Sequence, residues 1–270
     1  MNIRELCLTV GLSLLACGGL AGATVKTETV EYKDGPITLK GYLAYDDALT
    51  GRRPGVLVVH EWWGLNDYAK QRARQLAELD YVAFAADIYG NGVVVKTPDE
   101  ARELAMKFCD DRVLLRRRVL AGLEVLRKQP RVDTSKIAAI GYCFGGTAVL
   151  ELARSGANIA GVVSFHGGLD TTKPAQAGAI KAKVLVLTGA DDPGAPIAQV
   201  GAFQDEMRRA GADWTMISYG GAVHSFTNPA AGDDPSKGAA YNAKADRRSW
   251  RAMRDFFDEI FAQTKDSGPS

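Results

Sequence analysis

The sequence predicts an α/β protein with a mostly parallel sheet, helices on both faces of that sheet and an antiparallel hairpin at the N-terminal end. Two strand-like runs flank the turn signal Asp34-Gly35-Pro36, which predicts the hairpin. Beyond it, short apolar runs alternate with amphipathic stretches, a pattern typical of parallel strands joined through helices. Because no low-complexity linker or internal repeat divides residues 24–270, we expect one domain there.

Each predicted element has a local signal. Strands are short runs of apolar and β-branched residues, whereas helices show apolar residues three and four apart or a start signal such as Thr97-Pro98-Asp99-Glu100. The predicted strands cover 27–32, 37–45, 55–60, 82–86, 137–140, 161–165, 184–187 and 214–218. The predicted helices cover 67–79, 147–154, 197–210 and 249–261; two more regions are a helix starting at 97 and a long helix with the apolar stripe Leu115, Val119, Leu123 and Leu126.

Composition and charge favour an ordinary globular protein. The 270 residues are 46% hydrophobic and 24% charged, which is ordinary for such proteins. The formal net charge is +1, so the basic excess expected of a protein that mainly binds nucleic acid or anionic membranes is absent. After residue 24, no apolar run is long enough to span a bilayer.

The first 23 residues are typical of a secretory signal peptide. Arg4 precedes a mostly apolar run over 6–20, and Ala21-Gly22-Ala23 is a small-x-small cleavage signature. We therefore expect the mature chain to begin at Thr24 and to be periplasmic or secreted. The alternative is a lipoprotein, because Leu14-Leu15-Ala16-Cys17 resembles a bacterial lipobox and would make Cys17 the lipidated first residue.

Residues 141–145 read GYCFG and lie between a predicted strand and a predicted helix. This G-x-nucleophile-x-G arrangement is the nucleophile elbow of α/β-hydrolases, whose sharp turn lifts one side chain above the sheet. The amides at the start of the following helix favour negative charge there, and a thiolate benefits from that field. The pentapeptide alone is also compatible with a buried structural cysteine, so the assignment of Cys143 depends on partners elsewhere.

Suitable partners follow downstream, in the order acid and then histidine. Asp191 and Asp192 follow an apolar strand, and His224 lies in the loop after the next strand. A thiol is mostly protonated at neutral pH, so a neighbouring imidazole is needed to form the thiolate, and a carboxylate orients that imidazole. The alternatives are a helix-capping role for the acids and a structural loop histidine. Three groups in order, each at a strand end, predict a catalytic triad.

Five stretches together resemble the dienelactone hydrolase family, within the α/β-hydrolase fold. They read HEWWGLND, DIYG, GYCFGG, GADDP and AVHSF, and the resemblance extends over about 27–261. It implies that Cys143 is the nucleophile and His224 the base. It also implies that Asp192 is the acid, because Asp192 holds the last position of the family's G-x-x-D pattern, which leaves Asp191 as a neighbour or cap.

The resemblance implies further roles for the HEWWG stretch. Relatives use a glutamate at the position of Glu61 to bind the resting thiol, and that carboxylate shifts when substrate arrives; the alternative is an exposed loop acid. The backbone amides of Trp62 and Phe144 would form the oxyanion hole. Their side chains, with that of Trp63, would line the substrate pocket or fill the core.

Two positions depart from the family pattern. Dienelactone hydrolases hold the substrate carboxylate with two arginines, and the matching positions here are Asn91 and Asn228. An amide does not replace a bidentate guanidinium, so we expect a neutral ester, lactone or thioester as substrate. His166 follows a buried strand and is interpreted either as a pocket residue or as a structural one. Cys109 lies in a helix-like stretch and is interpreted as a packed residue.

The sequence thus predicts an ester or lactone hydrolase that acts through a thioester intermediate and needs no cofactor. The three histidines do not cluster with Cys or acids at metal-ligand spacing, and no phosphate-binding Gly-rich loop follows a strand. Two alternatives are open at this point. One is a true dienelactone (carboxymethylenebutenolide) hydrolase, and the other is a non-catalytic binding protein of the cell envelope on the same fold.

Overall fold

A computed structural model describes residues 24–262 as an eight-stranded sheet with helices on both faces. The predicted signal peptide, with Cys17, lies outside the described residues. The strands are β1 Val25–Asp34, β2 Ile37–Asp46, β3 Arg53–Val59, β4 Val82–Ala86, β5 Val132–Tyr142, β6 Gly161–Phe165, β7 Lys183–Gly189 and β8 Trp214–Tyr219. The α-helices are α1 Asp67–Ala77, α2 Pro98–Asp110, α3 Arg112–Arg127, α4 Phe144–Arg154, α5 Ile197–Ala210 and α6 Ala243–Ala262.

The strand order across the sheet is β1-β2-β4-β3-β5-β6-β7-β8. The pairs β1–β2 and β2–β4 are antiparallel, and all the other neighbouring pairs are parallel. The predicted N-terminal hairpin and the mostly parallel sheet are therefore confirmed. Because six consecutive strands of the order run in the same direction, the loops that follow their carboxyl ends gather at one edge.

The helices divide the hydrophobic core into two layers. On one face of the sheet, α2, α3, α4 and α5 cover a cluster that includes Phe108, Leu123 and Phe203. On the other face, α1 and α6 cover a second cluster that includes Leu76 and Phe257. Burial of such large apolar side chains contributes roughly 1.5–3 kcal/mol each, so both faces stabilise the sheet that carries the site.

The start of α2 shows how local sequence determines a boundary. The Thr97 side chain accepts a hydrogen bond from the Glu100 amide, and the Glu100 carboxylate accepts one from the Thr97 amide. This reciprocal arrangement is a capping box, and Pro98 occupies the first turn, where its missing N–H costs nothing. Asp111 then ends α2 and caps α3 through a hydrogen bond from the Leu114 amide.

Candidate active site

The turn at Cys143 has a strained backbone, with φ 54° and ψ −117°. Its two flanking glycines are required by packing. A Cβ at Gly141 would overlap the backbone of Gly145, and one at Gly145 would overlap the backbone of Val59 and His60. The strand and helix therefore approach too closely for side chains at these two positions, and the turn presents Cys143 above the sheet.

His224 contacts Asp192 at this same edge of the sheet. The His224 Nδ1 lies 2.9 Å from the Asp192 Oδ2, and the other oxygen of this buried carboxylate accepts a 2.7 Å hydrogen bond from the Gly194 amide. Asp191 is exposed and accepts instead from the amide of Gly221 at 3.1 Å. Of the two candidate acids, the structure therefore brings only Asp192 to the imidazole.

The surroundings of His224 favour its protonated form. Burial lowers the pKa of His224, but the charge and hydrogen bond of Cys143 and the carboxylate of Asp192 outweigh it and raise that pKa well above 6.5. A protonated imidazole beside a thiol stabilises the thiolate. The arrangement is therefore suited to an ion pair of thiolate and imidazolium.

Two amide groups near Cys143 have no partner. Within residues 24–262, the backbone N–H groups of Trp62 and Phe144 donate no hydrogen bond to protein. Phe144 is the first residue of α4, so its amide belongs to the unpaired start of a helix. The loop that carries Trp62 is held by Tyr89, whose hydroxyl donates a 2.8 Å hydrogen bond to the Trp62 carbonyl. Both free amides are available for an anionic oxygen.

Glu61 is buried, but its hydrogen-bond partners differ from the thiol contact that the family resemblance implies. Its carboxylate accepts hydrogen bonds from Asn228 Nδ2 at 2.6 Å and from Ser225 Oγ at 3.3 Å. No hydrogen bond joins Glu61 to Cys143 in the described part of the chain. Burial raises the pKa of the Glu61 carboxyl, although Asn228, His224, Ser225 and the more distant Arg72 oppose the shift.

The two asparagines at the family's arginine positions lie in different places. Asn228 is buried in the site, where it donates to Glu61 and accepts from the amide of Ala230 at 2.9 Å. Asn91 is exposed and has a positive φ of 56°. Its backbone N–H donates a hydrogen bond to the Thr38 carbonyl. Asn91 is absent from the cavity walls described below, so the expectation that it lines the substrate pocket is wrong.

His166 lies beneath the elbow and is fully buried. Its Nδ1 accepts a 3.1 Å hydrogen bond from the Cys143 amide, so the ring hydrogen is on Nε2. This Nε2–H donates a 2.7 Å hydrogen bond to Thr227 Oγ1. Burial, followed by the charges of His224 and Arg72, lowers the pKa of His166 well below 6.5. His166 is therefore a neutral support of the turn, and its placement in the pocket wall is wrong.

A polar network extends from Thr227 into the helices, and sequence reasoning missed it. The Thr227 hydroxyl lies 2.6 Å from Tyr68 Oη, which accepts a hydrogen bond from Arg72 Nε. Arg72 also donates to the Thr227 carbonyl and forms a 2.6 Å ion pair with Asp246. Tyr68 and Arg72 are four residues apart, so a helix presents both to one side. That spacing alone does not distinguish a buried pair from a solvated one.

Two cavities open at the thiol. The larger, of about 1080 Å³, is lined by Trp62, Trp63, Tyr68, Asn228 and other residues. The smaller, of about 340 Å³, has Phe144 in its wall, and Cys143 and His224 line both cavities. The Trp63 and Asn228 side chains therefore lie in the wall of the larger cavity.

The described residues show neither a cluster of metal ligands nor a membrane-spanning helix. Between residues 24 and 262, no three His, Cys, Asp or Glu side chains come together as metal ligands would. Over the same residues, no helix has the length and apolar character needed to cross a bilayer.

Comparison with known proteins identifies the family. The model of the dienelactone hydrolase family matches residues 39–261. The chain is 45% identical to a solved structure described as a dienelactone hydrolase-like promiscuous phosphotriesterase from metagenomic libraries; the match covers 88% of this chain and 99% of that one, with a TM-score of 0.83. A Caenorhabditis elegans protein of uncharacterized function is 37% identical over 150 residues, 55% of this chain and 95% of that protein.

A Yersinia pestis protein named carboxymethylenebutenolidase is 28% identical over 232 residues, which is 82% of this chain and 84% of that protein. The family match covers most of the chain and includes the elbow, both candidate acids and His224. The strand order and the placement of these groups at the carboxyl edge of a parallel sheet agree with it. The chain belongs to the dienelactone hydrolase family, and it is a hydrolase.

Proposed function

We propose that the protein hydrolyses carboxylic esters and lactones through a triad of Cys143, His224 and Asp192. One observation carries the proposal. His224 lines both cavities together with Cys143 and lies 2.9 Å from the buried Asp192 carboxylate, next to two amides that have no other partner in the described chain. A nucleophile, an oriented base and free donors in one place are what acyl transfer requires.

In the first half of the reaction, the Cys143 thiolate attacks the carbonyl carbon and the carbonyl π electrons move to oxygen. The amides of Trp62 and Phe144 hold the resulting oxyanion. The C–O bond to the leaving group then breaks as protonated His224 gives its proton to the leaving oxygen. The products are a thioester on Cys143, a free alcohol and a neutral imidazole.

In the second half, water replaces the alcohol. Neutral His224 removes a proton from water as the oxygen attacks the thioester carbonyl, and the same amides hold the second oxyanion. Collapse of this intermediate breaks the C–S bond. The acid leaves, and the thiolate and protonated His224 are restored, while Asp192 keeps the imidazole oriented throughout.

We propose that Glu61 positions the His224 loop rather than covering the resting thiol. Its carboxylate is engaged by Asn228 and Ser225, both from the segment directly after His224. The thiol is then paired with His224 before substrate arrives. This role differs from the one that the family resemblance implies, in which the glutamate is displaced from the thiol by substrate.

We propose neutral esters and lactones as the substrates, with true dienelactone hydrolysis as the alternative. Asn91 lies outside the cavity, and Asn228 is a neutral residue that donates to Glu61, so neither position offers a cation to a substrate carboxylate. Charge-assisted hydrogen bonds contribute about 1.5–3 kcal/mol each, so losing two costs about a hundredfold or more in kcat/KM. Dienelactone cleaved faster than a matched neutral lactone would contradict this.

The test of the mechanism is a trapped acyl-enzyme. Purified protein is mixed with a small activated ester, quenched in acid within seconds and analysed by mass spectrometry after digestion. We expect the acyl group on the peptide that carries Cys143, and no adduct in Cys143→Ala. Cys109→Ala is the matched control and is expected to trap normally. A non-catalytic binding protein would show neither adduct nor turnover.

A second candidate activity is phosphotriester hydrolysis, and the 45% identical structure favours it, because that relative is described as a promiscuous phosphotriesterase. The same thiolate would attack phosphorus and displace one alcohol, which protonated His224 supplies with a proton. Water, activated by the neutral imidazole, would then attack phosphorus, break the P–S bond and release the phosphodiester. Turnover of an activated dialkyl aryl phosphate that disappears with Cys143→Ala would establish it. Turnover that survives this substitution would place the activity elsewhere.

A further inference from the structure

The thiol lies where two cavities of unequal size meet. The larger measures about 1080 Å³ and the smaller about 340 Å³. Four residues line both of them: Trp62, Cys143, Gly194 and His224. A substrate bond attacked by this thiol therefore has open space on both sides, and the two spaces differ in size.

The walls of the two cavities come from different parts of the fold. The larger cavity is walled by the loop that carries His224, including Ser225, Asn228 and Ala230. The smaller is walled by the start of α4, with Phe144 and Thr147, and by α2. In the proposed reaction, the leaving oxygen must face the base, whereas the carbonyl oxygen faces the amide at the start of α4.

From this we infer, on the basis of the proposed function, that the acyl half of the substrate occupies the smaller cavity and the alcohol half the larger one. Liquid water takes about 30 Å³ per molecule, so the smaller cavity holds about ten non-hydrogen atoms and the larger more than thirty. Trp62, Trp63 and Tyr68 offer aromatic surface in the larger cavity. The substrate class is an ester of a short acyl group with a bulky apolar or aromatic alcohol.

Charge divides the two cavities in the same way. Apart from Cys143 and His224, which line both cavities, the smaller cavity has two acids, Asp110 and Asp170, against one base, Arg112. That guanidinium is 3% exposed and donates to Asp170 at 3.1 Å, and its unpartnered Nε and Nη1 are enclosed by protein. An acyl group that carries a carboxylate thus meets an excess of negative charge.

The larger cavity has the opposite balance, with Arg102 and Lys237 against Asp67 in its wall. Lys237 also pairs with Asp234, which is outside the wall, at 3.7 Å. These groups are exposed and screened by salt, so we expect them to change kcat/KM only a few-fold. A negative charge is therefore tolerated better on the alcohol half than on the acyl half.

Two substitutions narrow one cavity each. Met106 is 46% exposed and lines only the smaller cavity, whereas the exposed Ala230 lines only the larger one. Met106→Trp is expected to lower kcat/KM for an octanoyl ester about tenfold relative to the acetyl ester of the same alcohol. Ala230→Trp is expected to lower kcat/KM for naphthyl acetate about tenfold relative to kcat/KM for ethyl acetate. Val113→Trp, at an exposed site outside both walls, is the matched control.

Each value is divided by the wild-type value for the same ester, which removes differences in intrinsic reactivity. Met106→Ala, which enlarges the smaller cavity, is expected to raise the octanoyl-to-acetyl ratio. A change of alcohol selectivity in the Met106 variants and of acyl selectivity in Ala230→Trp would reverse the assignment. No change of selectivity in any of them would overturn the division itself.

Charge is tested with two matched pairs. Phenyl hemisuccinate is expected to be cleaved less well relative to phenyl butanoate than 4-carboxyphenyl acetate is relative to phenyl acetate. The reverse order would overturn the charge assignment and make Arg112 the receptor for an acyl carboxylate. Failure of the proposed function is distinguishable, because hydrolysis would then persist in Cys143→Ala, whereas failure of the cavity assignment leaves hydrolysis dependent on Cys143.

Discussion

Asn228 donates a 2.6 Å hydrogen bond to the buried carboxylate of Glu61, across 167 residues of the chain. This contact ties the loop after β8 to the loop after β3. It engages the Asn228 side chain at a position where the family resemblance implies a substrate-binding arginine. The side chain at position 228 therefore restrains Glu61, whereas the arginine that the family resemblance implies there would bind a substrate carboxylate.

The triad is tested by single substitutions. Cys143→Ala is expected to abolish ester hydrolysis, and Asp192→Asn to lower kcat about a thousandfold or more, because the imidazole loses its orienting carboxylate. Asp191→Asn is the matched control and is expected to stay near wild type. Steady-state kinetics on one activated ester, with circular dichroism of each variant, decides it. A larger effect at Asp191 than at Asp192 would reassign the acid.

The pH dependence of activity should reflect the ion pair of His224. Because Cys143 and Asp192 raise the pKa of His224 well above 6.5 despite its burial, the protonated imidazole persists through neutral pH. We expect the alkaline fall of kcat/KM to lie well above pH 6.5. In Asp192→Asn, the same fall should move to lower pH, because the carboxylate no longer stabilises the imidazolium. An unmoved profile would show that another group titrates there.

Glu61 should make stability depend on pH in a defined direction. Burial raises its folded-state pKa above 4.5. The protonated carboxyl therefore stabilises the fold fully below pH 4.5, and this contribution is lost as pH rises through the raised folded-state value. Glu61→Gln removes the titration, so its free energy of unfolding should increase relative to wild type over that window. Urea unfolding of wild type and Glu61→Gln from pH 4.5 to 8 measures the difference in free energy of unfolding. Both proteins keep all histidines, so the histidine contributions cancel in that difference.

Removing the donor to Glu61 should also destabilise the protein. Asn228→Ala leaves the buried carboxylate without its shortest hydrogen bond, at a cost of about 1.5–3 kcal/mol in the free energy of unfolding. Asn158→Ala is the control for an exposed asparagine whose φ is not positive, and it is expected to cost less than 1 kcal/mol, roughly the range of surface substitutions. Equal losses at the two positions would show that the hydrogen bond to Glu61 has little energetic weight.

His166 is expected to act as a positioning residue of the elbow. His166→Ala removes one of the two acceptors of the Cys143 amide and leaves the Phe165 carbonyl, which accepts from the same amide at 3.0 Å. A displaced thiol should lower kcat about ten- to a hundredfold while changing KM little. His166→Asn offers an amide oxygen near the position of Nδ1 and should recover part of kcat. The rate of Cys143 alkylation by iodoacetamide provides a second readout. Equal kcat values for the Ala and Asn variants would contradict a positioning role.

The export prediction is tested by processing. We expect expressed full-length protein to begin near Thr24 and to be recovered from a periplasmic or extracellular fraction. N-terminal sequencing and mass spectrometry of the mature protein measure this. A lipid-modified Cys17 would support the lipoprotein alternative, and an intact Met1 would contradict export by a cleaved signal.

The apolar runs predicted the strands well, and their limits show why boundaries are harder. The predicted strand 137–140 extends to Val132–Tyr142 in the structure, through the polar residues Asp133 to Lys136. Asp133 pairs with Pro54 and Ile137 with Gly55, so the register shift between Pro54 and Gly55 leaves residues 134–136 without a partner in β3. Such an irregular pairing depends on a neighbouring strand and leaves no periodic signal in the sequence.

The candidate site, like the strands, could be predicted only in part from the sequence. The order of Cys143, Asp192 and His224 was visible because strand ends of a parallel sheet meet at one edge. The partners of Glu61 and His166 were not visible, because they depend on the direction of side chains that are far apart in sequence. A buried Arg72 is equally hidden, since a helix pattern with arginine on one face usually indicates solvent.

The chain order of the site has a consequence for synthesis. The elbow with Cys143 is complete once β5 and α4 are made, but its base follows only after β8, close to the end of the chain. A free cysteine in an unfinished or unfolded chain is largely protonated at neutral pH and reacts slowly with electrophiles. If Cys143 is the nucleophile as proposed, it gains its base only when the last strand is in place, so an unfinished chain holds a thiol without the partner that activates it.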